Sequence, residues 1–118
     1  LIHGGASGVG TAAIQLAREV GARVATTSSA TKRAVCTRLG AERAYDRRDP
    51  AWPARLRDAW GEVDVILDMV GHDTMEADMN LLATGGRVVW IATLSGSKVD
   101  LDLRTLMRKR LTLKGPRS

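Results

Sequence analysis

Short apolar runs alternate with amphipathic segments along this chain, and the alternation predicts strands followed by helices. In the segments between the runs, apolar residues recur at the three- and four-residue spacing of a helix that is buried on one side. The order strand then helix repeats about five times before a sixth strand, so we expect a doubly wound parallel α/β sheet of the Rossmann type. The predicted strands are residues 1–3, 23–27, 43–46, 63–70, 87–92 and 111–114, and the predicted helices are residues 11–20, 31–39, 55–60, 74–82 and 102–108.

Individual positions refine these elements. The strands at residues 63–70 and 87–92 are almost continuously apolar, which is typical of strands buried on both faces of a parallel sheet. Glycines are predicted to end three helices, at Gly21, at Gly40 and at the pair Gly85-Gly86. The first helix is predicted to bury an apolar stripe made of Ile14, Leu16, Ala17 and Val20.

Composition narrows the classes of protein that fit. The 118 residues are 44% hydrophobic and carry a net charge of +5, and no apolar run approaches the roughly 18 to 20 residues of a membrane span. No secretory leader pattern opens the chain, so we expect a cytoplasmic domain without a membrane partner. Basic residues are scattered and aromatic residues are few, which disfavours nucleic acid but leaves a smaller anionic ligand open. Cys36 is the only cysteine and cannot form an internal disulfide.

The stretch from Gly4 to Gly10, GGASGVG, lies between the first predicted strand and helix and fits two glycine spacings. The spacing Gly5-x-Ser7-x-x-Gly10 is close to the dinucleotide pattern G-x-G-x-x-G, in which a pyrophosphate approaches the backbone at a helix amino terminus. In this register Gly5 is expected to allow the tight turn, Ser7 the close approach while offering a hydroxyl, and Gly10 the packing of helix on sheet. The spacing Gly4-x-x-x-Gly8-x-Gly10 is that of a different reductase superfamily.

The residues after the second predicted strand indicate which dinucleotide is bound. A carboxylate normally holds the ribose of NAD about 20 residues after the glycine loop. Here Ser28, Ser29 and Lys32 offer hydroxyls and a cation instead, as a 2′-phosphate requires. Two charge-assisted bonds of about 1.5 to 3 kcal/mol each would favour NADPH over NADH by about 100-fold or more. Helix capping by Ser28 or Ser29, with Lys32 facing water, is the alternative, and it is compatible with a phosphate at the same helix end.

Five segments together resemble one family of reductases. They are LIHGGASGVGTAAIQLAR, TTSSATK, RLGAERAYD, DVILDMVG and LLATGGRVVWIATLSG, and they cover most of the chain in order. They resemble the nucleotide-binding domain of the zinc-independent, zeta-crystallin-like quinone oxidoreductases of the medium-chain dehydrogenase/reductase superfamily. The resemblance implies that NADPH is bound and that its hydride passes to a quinone or a similar α,β-unsaturated carbonyl acceptor. It also implies a homodimer in the full-length protein.

The resemblance assigns residues to parts of the cofactor. The pyrophosphate would be lined by Ser7, Gly8, Val9 and Gly10. The 2′-phosphate would be lined by Ser29 and Lys32. The ribose and nicotinamide would be bordered, mostly through backbone and apolar contact, by Val70 and Gly71 after the fourth strand and by Ala92, Thr93 and Leu94 after the fifth.

Two positions depart from many members of the resembled family. Seven residues after the glycine of the segment LGA, a tyrosine is common near the adenine phosphate, whereas this chain has Arg47 there and Tyr45 at a position that is usually aliphatic. Arg47 is either a replacement phosphate contact or a solvated loop residue. Ala92 stands where glycine is common, and its methyl group either narrows the nicotinamide pocket or points away.

We expect the chain to be a fragment, one dinucleotide-binding domain without its amino-terminal catalytic domain. Leu1 is not a methionine, and the first apolar run is shorter than the usual strand of about 5 to 6 residues. No catalytic residue is identified: His3 is expected to end the first strand, His72 to lie in a turn, and one cysteine cannot make a Cys-rich zinc site. Alone, the chain is expected to bind NADPH weakly and to reduce no quinone.

Other functions stay open at this point. A short-chain dehydrogenase would carry a Tyr-x-x-x-Lys pair, but Tyr45 is followed four residues later by Asp49, and the segment Asp68-Met69-Val70-Gly71 lacks the usual Asn-Ala-Gly. This segment favours the register Gly5-x-Ser7-x-x-Gly10, in which Gly4 is a strand-end residue. An enoyl reductase of the resembled superfamily would differ mainly in its acceptor. A nucleotide-binding module without turnover would use the same loop.

Overall fold

The computed structural model describes residues 1–116, which form six strands and five α-helices. The strands are β1 Ile2–His3, β2 Ala25–Ser28, β3 Arg43–Asp46, β4 Val63–Asp68, β5 Leu82–Trp90 and β6 Thr112–Lys114. The helices are α1 Gly8–Glu19, α2 Arg33–Leu39, α3 Trp52–Trp60, α4 Met75–Leu81 and α5 Leu103–Lys109, with single 3₁₀ turns at Ala30–Lys32 and His72–Thr74. The strand order β3-β2-β1-β4-β5-β6 is that of a Rossmann sheet, so the predicted doubly wound α/β fold is confirmed.

The first of two compact units, Leu1–Asp58, contains β1 to β3, α1, α2 and α3 up to Asp58. Strand β2 pairs in parallel with both β1 and β3 and is buried along its whole length. The apolar side chains of Ile14 in α1 and Leu56 in α3 are fully buried. His3 ends β1 as predicted, and its ring meets the Trp52 ring edge-on at 5.4 Å between centroids.

The second unit, Ala59–Ser118, contains β4 to β6 and, within its described residues, α4 and α5. Strand β5 pairs in parallel with β4 on one side and β6 on the other. The buried core of this unit includes Val63, Ile66, Leu81, Leu82 and Val88. His72 begins a 3₁₀ turn and is exposed, in agreement with the predicted turn.

The predicted apolar stripe of the first helix is wrong in part. Ile14 is fully buried, but the Leu16 side chain is 68% exposed and Val20 is 82% exposed. The buried side of α1 is defined by Gly10 and Ile14, four residues apart. Leu16 lies two residues, or about 200° of helical rotation, from Ile14, so it faces away from the sheet.

The end of α4 and the start of β5 also differ from the prediction. The helix ends at Leu81 and the strand begins at once, so Gly85 and Gly86 lie inside β5 rather than ending the helix. Residues 82 to 87 of β5 run beside only residues 63 to 65 of β4, which makes a bulge, and Gly85 adopts a φ of 79° there. Val65, in the strand predicted to be buried on both faces, is 45% exposed.

Other boundaries follow the sequence signals. Gly21 and Gly40 follow α1 and α2 with φ of 84° and 124°, as predicted for glycines that end helices. Helix α1 begins at Gly8, three residues before the predicted start, because Ser7 caps it. Helix α3 begins at Trp52, earlier than predicted, with Pro53 in its first turn, where proline is tolerated.

None of the helices in residues 1–116 combines the length and the apolar character that crossing a membrane requires.

Two neighbouring threonines of β2 give a test of the core of the first unit. The Thr26 hydroxyl is buried and has no hydrogen-bond partner in residues 1–116, whereas the Thr27 hydroxyl lies 2.7 Å from Nδ1 of buried His3. We expect Thr26→Val to leave the free energy of unfolding unchanged or to raise it by about 1 kcal/mol, and Thr27→Val to lower it by about 1 to 3 kcal/mol. Urea unfolding of both variants measures this, and equal losses would contradict the assigned difference.

Candidate functional site

The turn between β1 and α1 is made by Gly4. Its φ is 69°, in the region that favours glycine, and its carbonyl oxygen accepts a hydrogen bond of 2.9 Å from the backbone N–H of Ser7. The predicted roles of the loop glycines therefore need correction: Gly4 is a turn residue rather than a strand-end residue. Gly5, to which the tight turn was assigned by prediction, is not among the residues with positive φ.

Gly5 and Gly10 are instead places where backbone meets its neighbours closely. A Cβ added to Gly5 would lie 2.8 Å from Cβ of Thr26 in β2. A Cβ added to Gly10 would overlap the carbonyl oxygen of Gly4, so α1 packs directly on the turn that precedes it. The predicted role of Gly10 was the packing of helix on sheet, and the geometry gives it close packing on the turn after β1 instead. Gly5 has a close-packing role against β2.

Ser7 is the amino-terminal cap of α1. Its hydroxyl oxygen accepts a hydrogen bond of 3.0 Å from the backbone N–H of Gly10 and donates one of 2.7 Å to the carbonyl of Gly4. The hydroxyl that the sequence predicts to be offered to a ligand therefore already holds the helix start and the turn together. Its substitution for glycine in the dinucleotide pattern is explained by this cap.

Two backbone amides at the start of α1 remain open. The N–H groups of Gly8 and Val9 donate to no acceptor within residues 1–116, as is usual in the first turn of a helix. Nothing lies within 4 Å of the position that a Cβ on Gly8 would occupy. This end of the 12-residue helix α1 suits a phosphate group. It offers two unused amides, the positive end of the helix dipole and free space beside Gly8.

The serines that follow β2 do not cap the next helix. The buried Ser28 hydroxyl donates to the carbonyl of Ser29 at 3.0 Å, and the Ser29 hydroxyl lies 3.4 Å from the hydroxyl of Thr31. Neither Ser29 nor Lys32, which occupy the two cap positions, makes a side-chain cap bond. The capping part of the alternative is therefore wrong for the described residues. Lys32 is exposed, which fits both the other part of that alternative and a contact with a phosphate.

Arg47 lies beside these serines. Its backbone N–H donates to the carbonyl of Ser28 at 2.8 Å, and its side chain is exposed. The backbone of Lys32 also lies next to Ser29, because the N–H of Lys32 donates to the carbonyl of Ser29 at 3.0 Å. Asp46, the acid at the end of β3, accepts a bond from the N–H of Arg48. Within the first unit, the structure therefore brings Ser28, Ser29, Lys32 and Arg47 to the carboxyl ends of β2 and β3.

In the second unit, a buried carboxylate organises the end of β4. One oxygen of Asp68 accepts bonds from the N–H groups of Val70 at 2.6 Å and Gly71 at 3.0 Å, and the other accepts the Thr74 hydroxyl at 2.6 Å. The backbone N–H groups of Val70 and Gly71 are thus used inside the protein. Val70 and Gly71 therefore cannot donate these N–H groups to a cofactor. They can contact it only through apolar atoms or through other backbone atoms.

Asp68 is paired with a second buried acid, Asp78 of α4. Burial raises the pKa of the Asp78 carboxyl well above its ordinary value, and the hydrogen bond and negative charge of Asp68 raise it further. The surroundings of Asp78 thus favour its protonated form, and a side-chain hydrogen bond joins it to Asp68. Sequence reasoning missed this pair, and the available signal was one acid at the end of an apolar strand and another inside the next helix.

The loop after β5 runs alongside the loop after β4. The N–H groups of Leu94 and Ser95 donate to the carbonyls of Met69 and Val70, at 3.0 and 2.8 Å. Leu94 is 80% exposed. The N–H and hydroxyl of Thr93 have no partner within residues 1–116 and are available to a ligand. Ala92, where the resembled family commonly has glycine, is half-buried.

Comparison with known proteins places this geometry in context. The model of a family described as "Zinc-binding dehydrogenase" matches residues 8–118. Quinone oxidoreductase of Sus scrofa is 32% identical over 118 residues, which are 98% of this chain and 35% of that protein. The chain therefore spans about a third of the length of this curated relative.

Solved structures agree with this similarity. Quinone oxidoreductase of Pseudomonas syringae pv. Tomato DC3000 superposes with a TM-score of 0.85 at 30% identity, over 98% of this chain and 37% of that chain. Crotonyl-CoA carboxylase/reductase AntE, solved in complex with NADP, superposes with a TM-score of 0.87 at 29% identity, over 97% of this chain and 35% of that chain.

Substitution by alanine should lower stability at one glycine of the loop and leave it almost unchanged at another. We expect Gly10→Ala to lower the free energy of unfolding by about 2 kcal/mol or more, because its methyl group overlaps the Gly4 carbonyl. Gly8→Ala, with open space at its Cβ, should change stability by less than about 1 kcal/mol. Urea unfolding of both variants measures the difference. An unchanged free energy of unfolding in Gly10→Ala would show that α1 does not pack on the turn.

The pair of buried acids predicts a pH dependence. Between the unfolded pKa of about 4 and the raised folded pKa, the folded state binds more protons at Asp78 than the unfolded state, so Asp78 makes the fold less stable as pH rises. Asp78→Asn keeps an N–H donor and has no proton to lose. We expect its stability relative to wild type to rise from pH 4 by up to about 1.4 kcal/mol per pH unit until the folded pKa is reached.

The measurement is urea unfolding of Asp78→Asn and wild type between pH 4 and pH 8. Asp64→Asn, which removes an exposed acid from β4, is the matched control for the loss of one carboxyl group. A pH-independent difference between Asp78→Asn and wild type would mean that Asp78 is ionised in the fold.

Proposed function

Because the chain belongs to the zinc-binding dehydrogenase family, within the medium-chain dehydrogenase/reductase superfamily, we propose that it is the NADPH-binding domain of an oxidoreductase that transfers hydride to a quinone or a similar α,β-unsaturated carbonyl acceptor. Family membership excludes the short-chain dehydrogenase alternative and supports a redox enzyme over a module without turnover. The observation that carries the proposal is the pair of open amides, Gly8 and Val9, beside a hydroxyl and cation cluster without a ribose-binding acid.

The start of α1 would bind the pyrophosphate. The amides of Gly8 and Val9 donate to phosphate oxygens, and the absence of a side chain at Gly8 lets the phosphate reach the backbone. Ser7 and Gly10 act through the shape of the loop: Ser7 caps the helix, and Gly10 brings the helix onto the turn. Gly5 supports the same shape by packing on β2.

The cluster at the ends of β2 and β3 would bind the 2′-phosphate of NADPH. Lys32 and Arg47 supply exposed cations, and the Ser29 hydroxyl supplies a donor beside them. Ser28 would act indirectly. Its buried hydroxyl donates to the carbonyl of Ser29, and its own carbonyl accepts the backbone N–H of Arg47. The NADP complex of AntE supports an NADP-type cofactor for this fold.

The loops after β4 and β5 would contact the nicotinamide half of the cofactor. Val70 is half-buried and offers apolar surface, Gly71 is buried beside it, and the N–H groups of both are held by Asp68. The open N–H and hydroxyl of Thr93, between Ala92 and Leu94, are the polar groups suited to the carboxamide. Bound NADPH supplies the hydride from C4 of its nicotinamide ring. The residues of this chain orient that ring and shield one side of it from water.

The acceptor and the wider protein are part of the same proposal. The name of the Sus scrofa relative supports a quinone. We place the acceptor-binding domain in a longer protein, because the chain spans about a third of the length of that relative. The predicted homodimer and cytoplasmic location stay predictions.

The reaction is proposed to need no zinc from this chain. Cys36 is the only cysteine, and it is fully buried, with its sulfur under Gly5 rather than at the open side of the loop. Such a thiol cannot join a group of ligands around a shared ion without opening the core of the first unit. The residues present therefore do not fit a zinc site built on cysteine.

Lys32→Ala tests the assignment of the cofactor. Loss of one charge-assisted bond of about 1.5 to 3 kcal/mol should lower the ratio of NADPH to NADH affinity by about 10- to 150-fold. Arg38→Ala, which removes an exposed cation from the last turn of α2, is the matched control and should leave the ratio unchanged. Titration of both cofactors by calorimetry measures the ratio, and an unchanged value in Lys32→Ala would remove Lys32 from the site.

A further inference from the structure

The carboxylate of Asp68 makes more hydrogen bonds than a structural residue at a strand end requires. It is fully buried and accepts bonds from Val70, Gly71 and Thr74, and a side-chain hydrogen bond joins it to Asp78 of α4. Three of these four groups belong to the turn that leaves β4. The Asp68 carboxylate therefore holds that turn in its conformation.

The turn has little freedom to relax without these bonds. Gly71 adopts a φ of 91° and a ψ of −108°, and a Cβ at Gly71 would overlap the carbonyl of Gly96. Its N–H is held by Asp68, and its carbonyl accepts the backbone N–H of Thr74 at 3.3 Å. Thr74 thus bridges the carboxylate and the turn.

The position of the turn is passed on to the loop after β5. The Val70 carbonyl accepts both the N–H and the hydroxyl of Ser95, each at 2.8 Å, and the N–H of His72 donates to Gly96 at 3.0 Å. The N–H of Asp73 donates to the Ser95 hydroxyl at 3.0 Å. Thr93 and Leu94 lie at the outer end of this ladder, so a shift of Val70 moves them as well.

We propose that Asp68 is a positioning residue that sets the placement of the nicotinamide half of the cofactor by holding Val70–Gly71, and through Ser95 the segment 93–94, in one arrangement. The inference rests on the proposed function, because those loop residues are proposed cofactor contacts there. Asp68 itself touches no cofactor, since its oxygens are buried and occupied by protein donors.

Asp68→Asn separates positioning from folding. The amide keeps the volume of the carboxylate and one acceptor oxygen, but it is neutral, and its NH₂ group cannot accept a bond. Bonds from backbone N–H groups to the neutral oxygen are weaker than those to a carboxylate, so the turn is held less tightly while the core stays filled. Thr74→Val is the second variant, because it removes one donor and leaves the Asp68 charge in place.

The experiment compares two ligands on the same chain. NADPH carries both halves of the cofactor, whereas 2′,5′-ADP carries the adenosine half with its 2′-phosphate and has no nicotinamide. Dissociation constants for both ligands are measured by calorimetry for wild type, Asp68→Asn, Thr74→Val and the exposed-acid control Asp64→Asn. The fluorescence of bound NADPH reports on the surroundings of the nicotinamide directly, and melting temperatures confirm that each variant is folded.

We expect Asp68→Asn to weaken NADPH binding by about tenfold or more, with 2′,5′-ADP changed by less than about twofold. The fluorescence enhancement of bound NADPH should fall in the same variant, Thr74→Val should show a smaller loss of the same kind, and Asp64→Asn should show none.

Unchanged NADPH binding and fluorescence in folded Asp68→Asn, or equal losses for the two ligands, would overturn the positioning role while leaving the proposed function intact. Failure of the wild-type chain to bind either ligand would instead overturn the proposed function, and the inference with it. Should Asp68→Asn not fold, the ligand pair on Thr74→Val decides between the same outcomes.

Discussion

The start of α1 depends on the close approach of Gly10 to the carbonyl of Gly4, which leaves no room for a Cβ at position 10. That contact brings the first turn of α1 onto the turn after β1, and the Ser7 hydroxyl joins the same two residues by hydrogen bonds. Between them, the amides of Gly8 and Val9 donate to no acceptor within residues 1–116. Any side chain at position 10 would push the helix off the turn and move those amides.

The second unit solves a similar problem with charge instead of glycine. Asp68 accepts hydrogen bonds from the backbone after β4, and burial beside Asp68 raises the pKa of Asp78, which disfavours a second negative charge there. An isolated buried carboxylate is costly, and hydrogen bonds from several donors offset that cost. The pair therefore costs some stability at Asp78 and fixes the backbone at Val70 and Gly71. Shifted pKa values and constrained backbone are typical of places where a ligand is oriented.

Much of the architecture could be predicted because the pattern was locally consistent. Strand β3 was predicted at its observed bounds, and the ends of α1 and α2 followed from Gly21 and Gly40. The predictions that failed needed information about neighbours. Leu16 is exposed because it lies about 200° of helical rotation from Ile14, which is on the buried side of α1. The pair Gly85-Gly86 lies in a bulge because β5 carries more residues than β4 beside it, which no pattern within one segment reveals.

The sequence by itself determined the fold class, the register of the glycine loop and the absence of an acid after β2, since these depend on residue type and spacing along the chain. The tertiary structure decided how the loop residues share their work: Gly4 turns, Gly5 packs, and the Ser7 hydroxyl is used within the protein. It also decided that Asp68 and Asp78 meet and that the N–H groups of Val70 and Gly71 are occupied. Hydrogen bonds have direction and partners, and only three-dimensional packing shows which donors have already been used.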